Sequence, residues 1–447
     1  MRQSSVRSAF LLSCVMIGIL SHGTSRAASP VATPGGPSSG LCPRLDSAVT
    51  ARRDNGRFAA ADRDVKAGLG PHASYPGAVL LIAKNGHVVH LAAFGAAQDL
   101  TVSPDGRAVP LASPRPMQDD ELFDMASVTK VEATTAAVMH LVSQGHLHPE
   151  DRLGDLLPVF AGTDKATVTV EQLLTHRAGL WEWQPAWLYR DAGGSVLPWL
   201  ARLPRRYGIG ERWAYSDLGF MILGAVVSHV SGLPLDAYVR QELYVPQDMT
   251  DTGYLPSSAL APRIAATSQG DAYQQRMVET GKPYPVLYPP SPDVHVSYRT
   301  GFLVGQANDA NSWFGWGGVA GHAGVFSTAL DVGRYAQTLL NGGCYGNWRL
   351  ASPEIVARFE QTPSDAKQAL GFRKMQIDGI TTPVFGHPGF TGTQFAFAPE
   401  LNLSVVLLTN RLHRPDTPSE SYPVLSGLWN QVIRDAVAAT TQPGEKP

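Results

Sequence analysis

Charge is scarce in this sequence. Asp, Glu, Lys and Arg make up 17% of the 447 residues, and the net charge is −2. With no basic excess there is no electrostatic footprint for nucleic acid or an anionic membrane surface. Cysteine is scarcer still: Cys14, Cys42 and Cys344 are the full set, too few for a disulfide-dense scaffold. Metal-ligand runs are missing. His146-Leu147-His148 is a close histidine pair, but no His-Glu-x-x-His run occurs, so neither a metal nor another cofactor is implied. There are no internal repeats. After the first twenty or so residues no apolar run is long enough for a membrane helix. What remains is ordinary globular material, 44% hydrophobic and long enough for one large or two medium domains.

The N-terminus reads as an export signal over residues 1–28. Arg2 and Arg7 precede an apolar stretch, Ala9 to Leu20, and Ser25-Arg26-Ala27 or Arg26-Ala27-Ala28 offers small-residue cleavage sites. Leu11-Leu12-Ser13-Cys14 has a lipoprotein-like form, but the apolar run continues past Cys14, which argues against lipidation. A periplasmic or secreted location is therefore expected. Residues 29–43 are rich in Ser, Pro and Gly and read as a flexible leader. Cleavage leaves Cys42 and Cys344. They either pair, tying the N-terminal arm to the body, or stand as separate thiols.

Periodicity predicts helices over Leu45–Ala60, Ala126–Gln144 (stopped by Gly145), Thr328–Leu340 and Gly427–Ala438. Ala78–Lys84 and His87–Ala93 flank Asn85-Gly86, a strong hairpin signal. Gln394–Ala398 and Leu403–Leu408 form a second hairpin around Pro399–Asn402. From about Leu153 to Pro290 the chain reads as helical with long loops. Trp181, Trp183, Trp187 and Trp199 cluster there; core packing is their main reading, with one or two as cleft walls the lesser one. Strands at both ends with helices between suggest one sheet built from distant segments.

The chemistry centres on Ser127-Val128-Thr129-Lys130. At this spacing a hydroxyl and an amine share one helical face. Serine needs a base to take its proton, and lysine serves if its proton affinity is lowered. A helix N-terminus disfavours the ammonium and leaves the Ser127 N–H free for an oxyanion. Ser364-Asp365-Ala366-Lys367 has the same form, but follows Pro363 in a polar stretch and reads as an exposed turn or helix start. The first copy is followed, in order, by Tyr215-Ser216-Asp217 and His387-Pro388-Gly389. His322-Ala323-Gly324 competes with the last of these, but precedes a helix cap, whereas His387 opens a hairpin. His322 reads instead as bracing a glycine-rich loop.

This ordered triplet resembles the class C β-lactamase and DD-peptidase superfamily of serine hydrolases. The resemblance spans about Leu45 to Val437. Pro76–Val79, the run Gln172-Leu173-Leu174-Thr175-His176-Arg177-Ala178-Gly179-Leu180, and Gly317–Gly324 look like family landmarks. Tyr215–Asp217 and the run Gly305–Asn347 are most similar to the penicillin-binding protein 4B subgroup, D-alanyl-D-alanine carboxypeptidases by name. The resemblance implies an α+β fold of the β-lactamase/transpeptidase type: an antiparallel sheet flanked by helices, plus an inserted all-helical lobe. The domain would cover residues 44–440, its sheet lobe about 44–125 and 325–440, its helical lobe about 126–324. Ser127 would be the nucleophile, Lys130 its base and Tyr215 the proton relay. Asp217, His387, Gly389 and Phe390 would line the substrate site, with Phe390 N–H as second oxyanion donor. Two residues depart from the family pattern. Asp217 replaces the usual Asn, and an ionised carboxylate beside Lys130 stabilises the ammonium. Pro388 replaces Thr or Ser, removing a hydroxyl that would bind a substrate carboxylate. If the N–H of Phe390 faces the cleft, so does the position of Pro388, and its missing donor costs no sheet bond.

These residues point to an exported serine hydrolase acting through an acyl-enzyme, with D-Ala-D-Ala carboxypeptidase-like work on cell-wall peptides as first reading. The alternatives are an esterase or class C-like β-lactamase. A different class is a non-catalytic cell-wall peptide or penicillin-binding protein. The partner is a small-molecule or peptidoglycan-peptide substrate, with at most peripheral membrane association.

Overall fold

The computed structural model of the chain describes residues 41–47, 56–69, 74–288, 296–414 and 422–441. The expected export signal and most of the leader lie outside these residues. The strands that frame the site are β1 (Gly77–Lys84), β2 (His87–Val102), β3 (Ala108–Pro116), β4 (Phe123–Asp124), β5 (Val325–Ser327), β6 (Arg373–Met375), β7 (Val384–Pro388), β8 (Thr393–Ala398) and β9 (Leu403–Thr409). The helices needed below are α1 (Ala59–Ala67), α2 (Ala136–Ser143), α3 (Asp217–Ser231), α4 (Ala329–Leu340) and α5 (Ser426–Thr440).

One seven-stranded sheet, ordered β3-β2-β1-β9-β8-β7-β6, is antiparallel throughout. Its first strands precede the nucleophile and its last follow the helical middle, so distant segments meet where β1 pairs with β9, Val79 opposite Leu408. The central strands are apolar almost without interruption because both faces are covered. Val79, Leu81, Val406 and Leu408 pack toward Val332, Tyr335 and Ala336 of α4. Leu80, Ile82, Val405 and Leu407 pack toward Ala61 and Val65 of α1 and Val432 and Ile433 of α5. The β1–β2 turn has φ 53° at Asn85 and 80° at Gly86, the positive pair a two-residue hairpin needs.

The stretch between β4 and β5 is mainly helical but adds a short strand, Gly253–Tyr254, which pairs with β5. Among the described residues no single helix is long and apolar enough to cross a membrane. Of the helix expected over Leu45–Ala60, residues 48–55 lie outside the described residues, and among the rest only Ala59 and Ala60 are helical. Leu45 N–H donates to Tyr345 Oη at 3.2 Å and Asp46 bridges His87, so Leu45–Ser47 lie against the body, and the first helix among the described residues starts at Ala59. At Leu45 and Asp46 long-range pairing has overridden local periodicity. Cys42 and Cys344 form a disulfide, and Cys42 also exchanges two backbone hydrogen bonds with Gly346.

Candidate active site

The chain leaves β4 and reaches Ser127 through a strained step. Ala126 has φ 44°, a left-handed conformation that costs an alanine on the order of 1 kcal/mol. Asp124 holds it there: Oδ1 accepts the Ala126 N–H at 2.8 Å, and Oδ2 accepts the Asn308 N–H at 2.6 Å. Burial pushes this carboxyl up to about 6 against those two donors. The two carbonyls before the serine are anchored as well. Thr391 Oγ1 donates to Asp124 O at 2.6 Å, and Thr393 Oγ1 donates to Met125 O at 3.1 Å. Ala126–Val128 is a 3-10 turn and Lys130–Thr135 a π-turn before α2 begins. The helix expected from Ala126 is present, stopped at Gly145 (φ 72°), but its first turns are rewound.

Lys130 is wholly buried. Its Nζ lies 2.9 Å from Ser127 Oγ, 3.0 Å from His322 O and 2.7 Å from Asp217 Oδ1. The Tyr215 phenol is close enough to Ser127 and Lys130 for both to act on its proton affinity, and the ammonium sits 5.1 Å from the Tyr215 ring centroid. Burial alone would lower the lysine pKa. The Asp217 carboxylate and Tyr215 reverse that, so the pKa lies above its ordinary value. Burial pushes the Tyr215 phenol up too, against the pull of Lys130. The lysine with lowered proton affinity anticipated from the sequence is therefore not the resting state: Asp217 is turned toward Lys130 and holds it as an ammonium.

Three further segments set this geometry. Ser216 caps α3, accepting the Gly219 N–H at 3.3 Å, and its own N–H donates to His176 Nδ1 at 3.0 Å. The His176 ring lies 4.5 Å from that of Tyr215, so the landmark after α2 backs the tyrosine. Burial, with Lys130 and His387 nearby, keeps His176 well below the ordinary imidazole pKa and hence neutral. The glycine-rich loop lies flush on α3. A Cβ on Gly321 would sit 2.2 Å from Phe220 O, and only that closeness brings the His322 carbonyl to Lys130. His322 braces this loop as expected, its Nε2 2.7 Å from Asp309 Oδ1, which also accepts the Ser312 N–H at 2.7 Å.

The third segment is the β7–β8 turn. Gly389 N–H donates to Thr393 O at 2.6 Å, so the Pro388 nitrogen faces the opposite, outer edge and its missing donor costs no ladder bond. A Cβ on Gly389 would meet Thr393 Oγ1 at 2.1 Å and Met125 O at 2.6 Å, so glycine lets the turn press on the backbone before Ser127. His387 is buried, its ring 6.0 Å from that of Tyr215, and its Nδ1 donates to Pro388 O at 2.8 Å. Burial with Lys130 nearby drives its pKa down to about 3, so it is a neutral imidazole.

Ser127, Tyr215, Asp217 and Phe390 line one pocket of about 170 Å³. Lys130 lies beneath it, His387 behind Tyr215, and Gly389 against Met125. Neither His387 nor Gly389 lines the pocket. Among the described residues the N–H groups of Ser127 and Phe390 take no protein acceptor. The Ser364 copy is an exposed turn and lines no part of this pocket. Trp183 lines the pocket, whereas Trp187 packs beside it and Trp199 stacks on Tyr189 at 4.6 Å. Asn308, Asp309, Tyr273, Met277 and Tyr284 also line it, and none carries a local sequence signal. Asn308-Asp309 lies unmarked inside a segment noted above for its family likeness. Arg373, at the start of β6, is a further residue that the sequence does not flag. Among the described residues no cluster of metal-ligating side chains occurs.

A model of the Beta-lactamase family matches residues 50–427. The chain is 33% identical over 375 residues to an Escherichia coli protein named "Putative D-alanyl-D-alanine carboxypeptidase", covering 78% of this chain and 81% of the other. It is 31% identical over 406 residues to a Bacillus subtilis protein named "N-acetylmuramyl-L-alanine amidase", covering 85% and 87%. A penicillin-binding protein homologue from Caulobacter crescentus shares the fold, with a TM-score of 0.63 and 21% identity over 90% of this chain and 99% of that one.

Proposed function

The chain belongs to the Beta-lactamase family, and from there we propose that it is an exported serine hydrolase working through an acyl-enzyme on cell-wall peptides ending in D-alanine. The observation that carries this is the contact of Ser127 Oγ with Lys130 Nζ at 2.9 Å, in a pocket that Ser127 and Tyr215 line together. Ser127 attacks the peptide carbonyl. Its proton passes through the Tyr215–Lys130 pair to the departing amine, and water then releases the acyl group. The unpaired N–H groups of Ser127 and Phe390 receive the oxyanion. Because Lys130 rests as an ammonium, acylation draws on the fraction of molecules in which the Lys130–Asp217 pair has shed its proton.

Arg373 supports a carboxypeptidase over an endopeptidase. It opens β6 opposite Gly386, where the outer edge of β7 loses its strand neighbour. Its guanidinium rests on the Trp213 ring at 4.8 Å, with no carboxylate at ion-pair distance among the described residues. A peptide laid along the free edge from His387 to Phe390 brings its terminal carboxylate toward that charge. The Cys42–Cys344 disulfide supports export to an oxidising compartment. The Lys130–Asp217 ion pair favours a second reading, a penicillin- or peptide-binding protein that acylates slowly.

Intact-mass analysis of the mature protein with a penicillin, followed over time, separates these. A transient adduct with released product supports a hydrolase, a lasting one a penicillin-binding protein. Ser127→Ala removes the adduct and Ser364→Ala keeps it. No adduct and no ester turnover at any pH would overturn the hydrolase reading.

A further inference from the structure

Arg411 directs a half-buried positive charge at two backbone carbonyls. It lies two residues past the end of β9, and its base is tied to β1 and β2. Asn410, beside it, accepts the Gly77 N–H on Oδ1 at 2.9 Å and donates from Nδ2 to Ala96 O at 3.2 Å and Ala97 O at 3.1 Å. The guanidinium reaches back over the β7–β8 turn. Nε donates to Phe390 O at 2.7 Å and Nη1 to Pro423 O at 2.7 Å, and the group lies 5.3 Å from the Phe390 ring centroid. Burial pulls its pKa down to about 10, so it is charged at neutral pH.

The turn beneath this group carries the second oxyanion donor. Gly389 O accepts the Gly392 N–H at 3.0 Å. In a trans peptide the C=O and N–H point opposite ways, so the Phe390 N–H is directed out of the turn. That bond sets the peptide plane before the Phe390 Cα, and the Arg411 Nε bond sets the plane after it. Together they fix both backbone dihedrals of Phe390. Gly392 has φ 103°, and a Cβ there would meet Arg411 Cγ at 2.9 Å, so the arginine stem lies flat against the turn. As Ser127 Oγ bonds to the substrate carbonyl carbon, the C=O π pair moves onto oxygen, and that charge falls to the Ser127 and Phe390 N–H groups. We propose that Arg411 is the positioning residue for this second donor: its bond to Phe390 O holds the Phe390 N–H toward the developing oxyanion. This rests on the hydrolase reading and adds a residue to it. Stabilisation of this kind is realised only as the charge develops, so it appears in the acylation step.

The test uses the disulfide-bonded protein and a matched pair of 4-nitrophenyl esters, one with a C=O and one with a C=S acyl group. Nitrophenolate release gives kcat/KM for acylation by each. Sulfur is a weak hydrogen-bond acceptor, so the thiono ester gains little from the two donors. Removing one oxyanion donor costs about 10²–10³ in rate, and misdirecting it should cost about ten- to a hundredfold. Arg411→Met keeps an apolar stem and loses both hydrogen bonds. It should lower kcat/KM for the oxo ester by that factor and for the thiono ester much less, so the oxo-to-thiono ratio falls. A general loss of active protein scales both esters alike and leaves the ratio in place. Arg411→Lys keeps the charge but cannot serve both carbonyls, and its ratio should fall by less. A ratio unchanged from wild type in the folded variants overturns this inference and leaves the hydrolase reading intact. No ester turnover and no penicillin adduct with the wild-type chain overturns both.

Discussion

Lys130 Nζ lies 2.7 Å from Asp217 Oδ1 and 2.9 Å from Ser127 Oγ, so a carboxylate and a nucleophile share one buried ammonium. The family's asparagine would remove the carboxylate and leave burial, which lowers the lysine pKa, opposed by Tyr215.

Asp217→Asn should therefore move the rising limb of the acylation rate to lower pH. A shift of one unit raises the neutral-lysine fraction at pH 7 about tenfold, and acylation with it. Stopped-flow acylation by a penicillin or reporter ester across pH measures this. An unshifted limb, or acylation lost at every pH, would mean that Asp217 itself carries the proton.

Arg373→Gln should lower kcat/KM for a peptide with a free C-terminal carboxylate by about ten- to a hundredfold, the worth of a hydrogen bond to a charged group. The neutral methyl ester of the same peptide lacks the anion and should change much less. The ratio of the two specificity constants is the quantity to measure. An unchanged ratio would place carboxylate recognition elsewhere.

Gly389→Ala should separate activity from folding. The added methyl has Met125 O at 2.6 Å and Thr393 Oγ1 at 2.1 Å, so the β7–β8 turn has to back away from the turn that presents Ser127. Overpacking of this kind costs about 1–3 kcal/mol. Thermal denaturation should show that modest loss, while penicillin labelling at a temperature well below the melt falls by a much larger factor. Normal labelling would show that the turn need not touch the nucleophile segment.

Glu132→Gln should stabilise the protein, and more so at higher pH. Burial pushes the Glu132 carboxyl up to about 8 from an ordinary 4.5, opposed by the nearby Ser327 hydroxyl. The unfolded chain sheds this proton first. The contribution of Glu132 to wild-type stability is thus highest below about 4.5 and is lost as pH rises toward 8, at about 1.4 kcal/mol per unit. The amide has no such slope. Denaturant unfolding of both proteins at pH 5 and pH 8 should show a larger gap at pH 8. Equal gaps would mean that Glu132 is not charge-strained.

The serine, lysine and tyrosine were legible because each sits in a short, ordered motif whose residue types suit one chemistry better than any other. The two hairpins were legible because Asn85-Gly86 and Asn402 meet the turn geometry they mark. Asp309, Tyr273 and Tyr284 were not, because they reach the pocket only through tertiary folding of long loops and their neighbours in sequence give no period. Arg373 was hidden for a related reason: its meaning comes from where β6 stops beside β7, and no local pattern encodes the end of a pairing. Leu45 and Asp46 misled in the opposite sense, since their helical spacing is real but loses to the disulfide and to the bridge with His87. For Asp217 the sequence carried the dilemma and the geometry resolved it toward the ammonium.

The Cys42–Cys344 bond spans 302 residues and turns most of the chain into a covalent ring. Ser127, Lys130, Tyr215 and Asp217 belong to the ring. His387 and Phe390 belong to the linear tail beyond Cys344, whose strands β6 to β9 complete the sheet only because β9 pairs with β1. The reaction centre is thus shared between a closed loop and an open end. A protease nick at the exposed Ser364–Lys367 turn would cut the tail and leave the ring whole, dividing the oxyanion donors between two pieces joined by the β1–β9 pairing, by the Thr391 and Thr393 hydrogen bonds and by core packing.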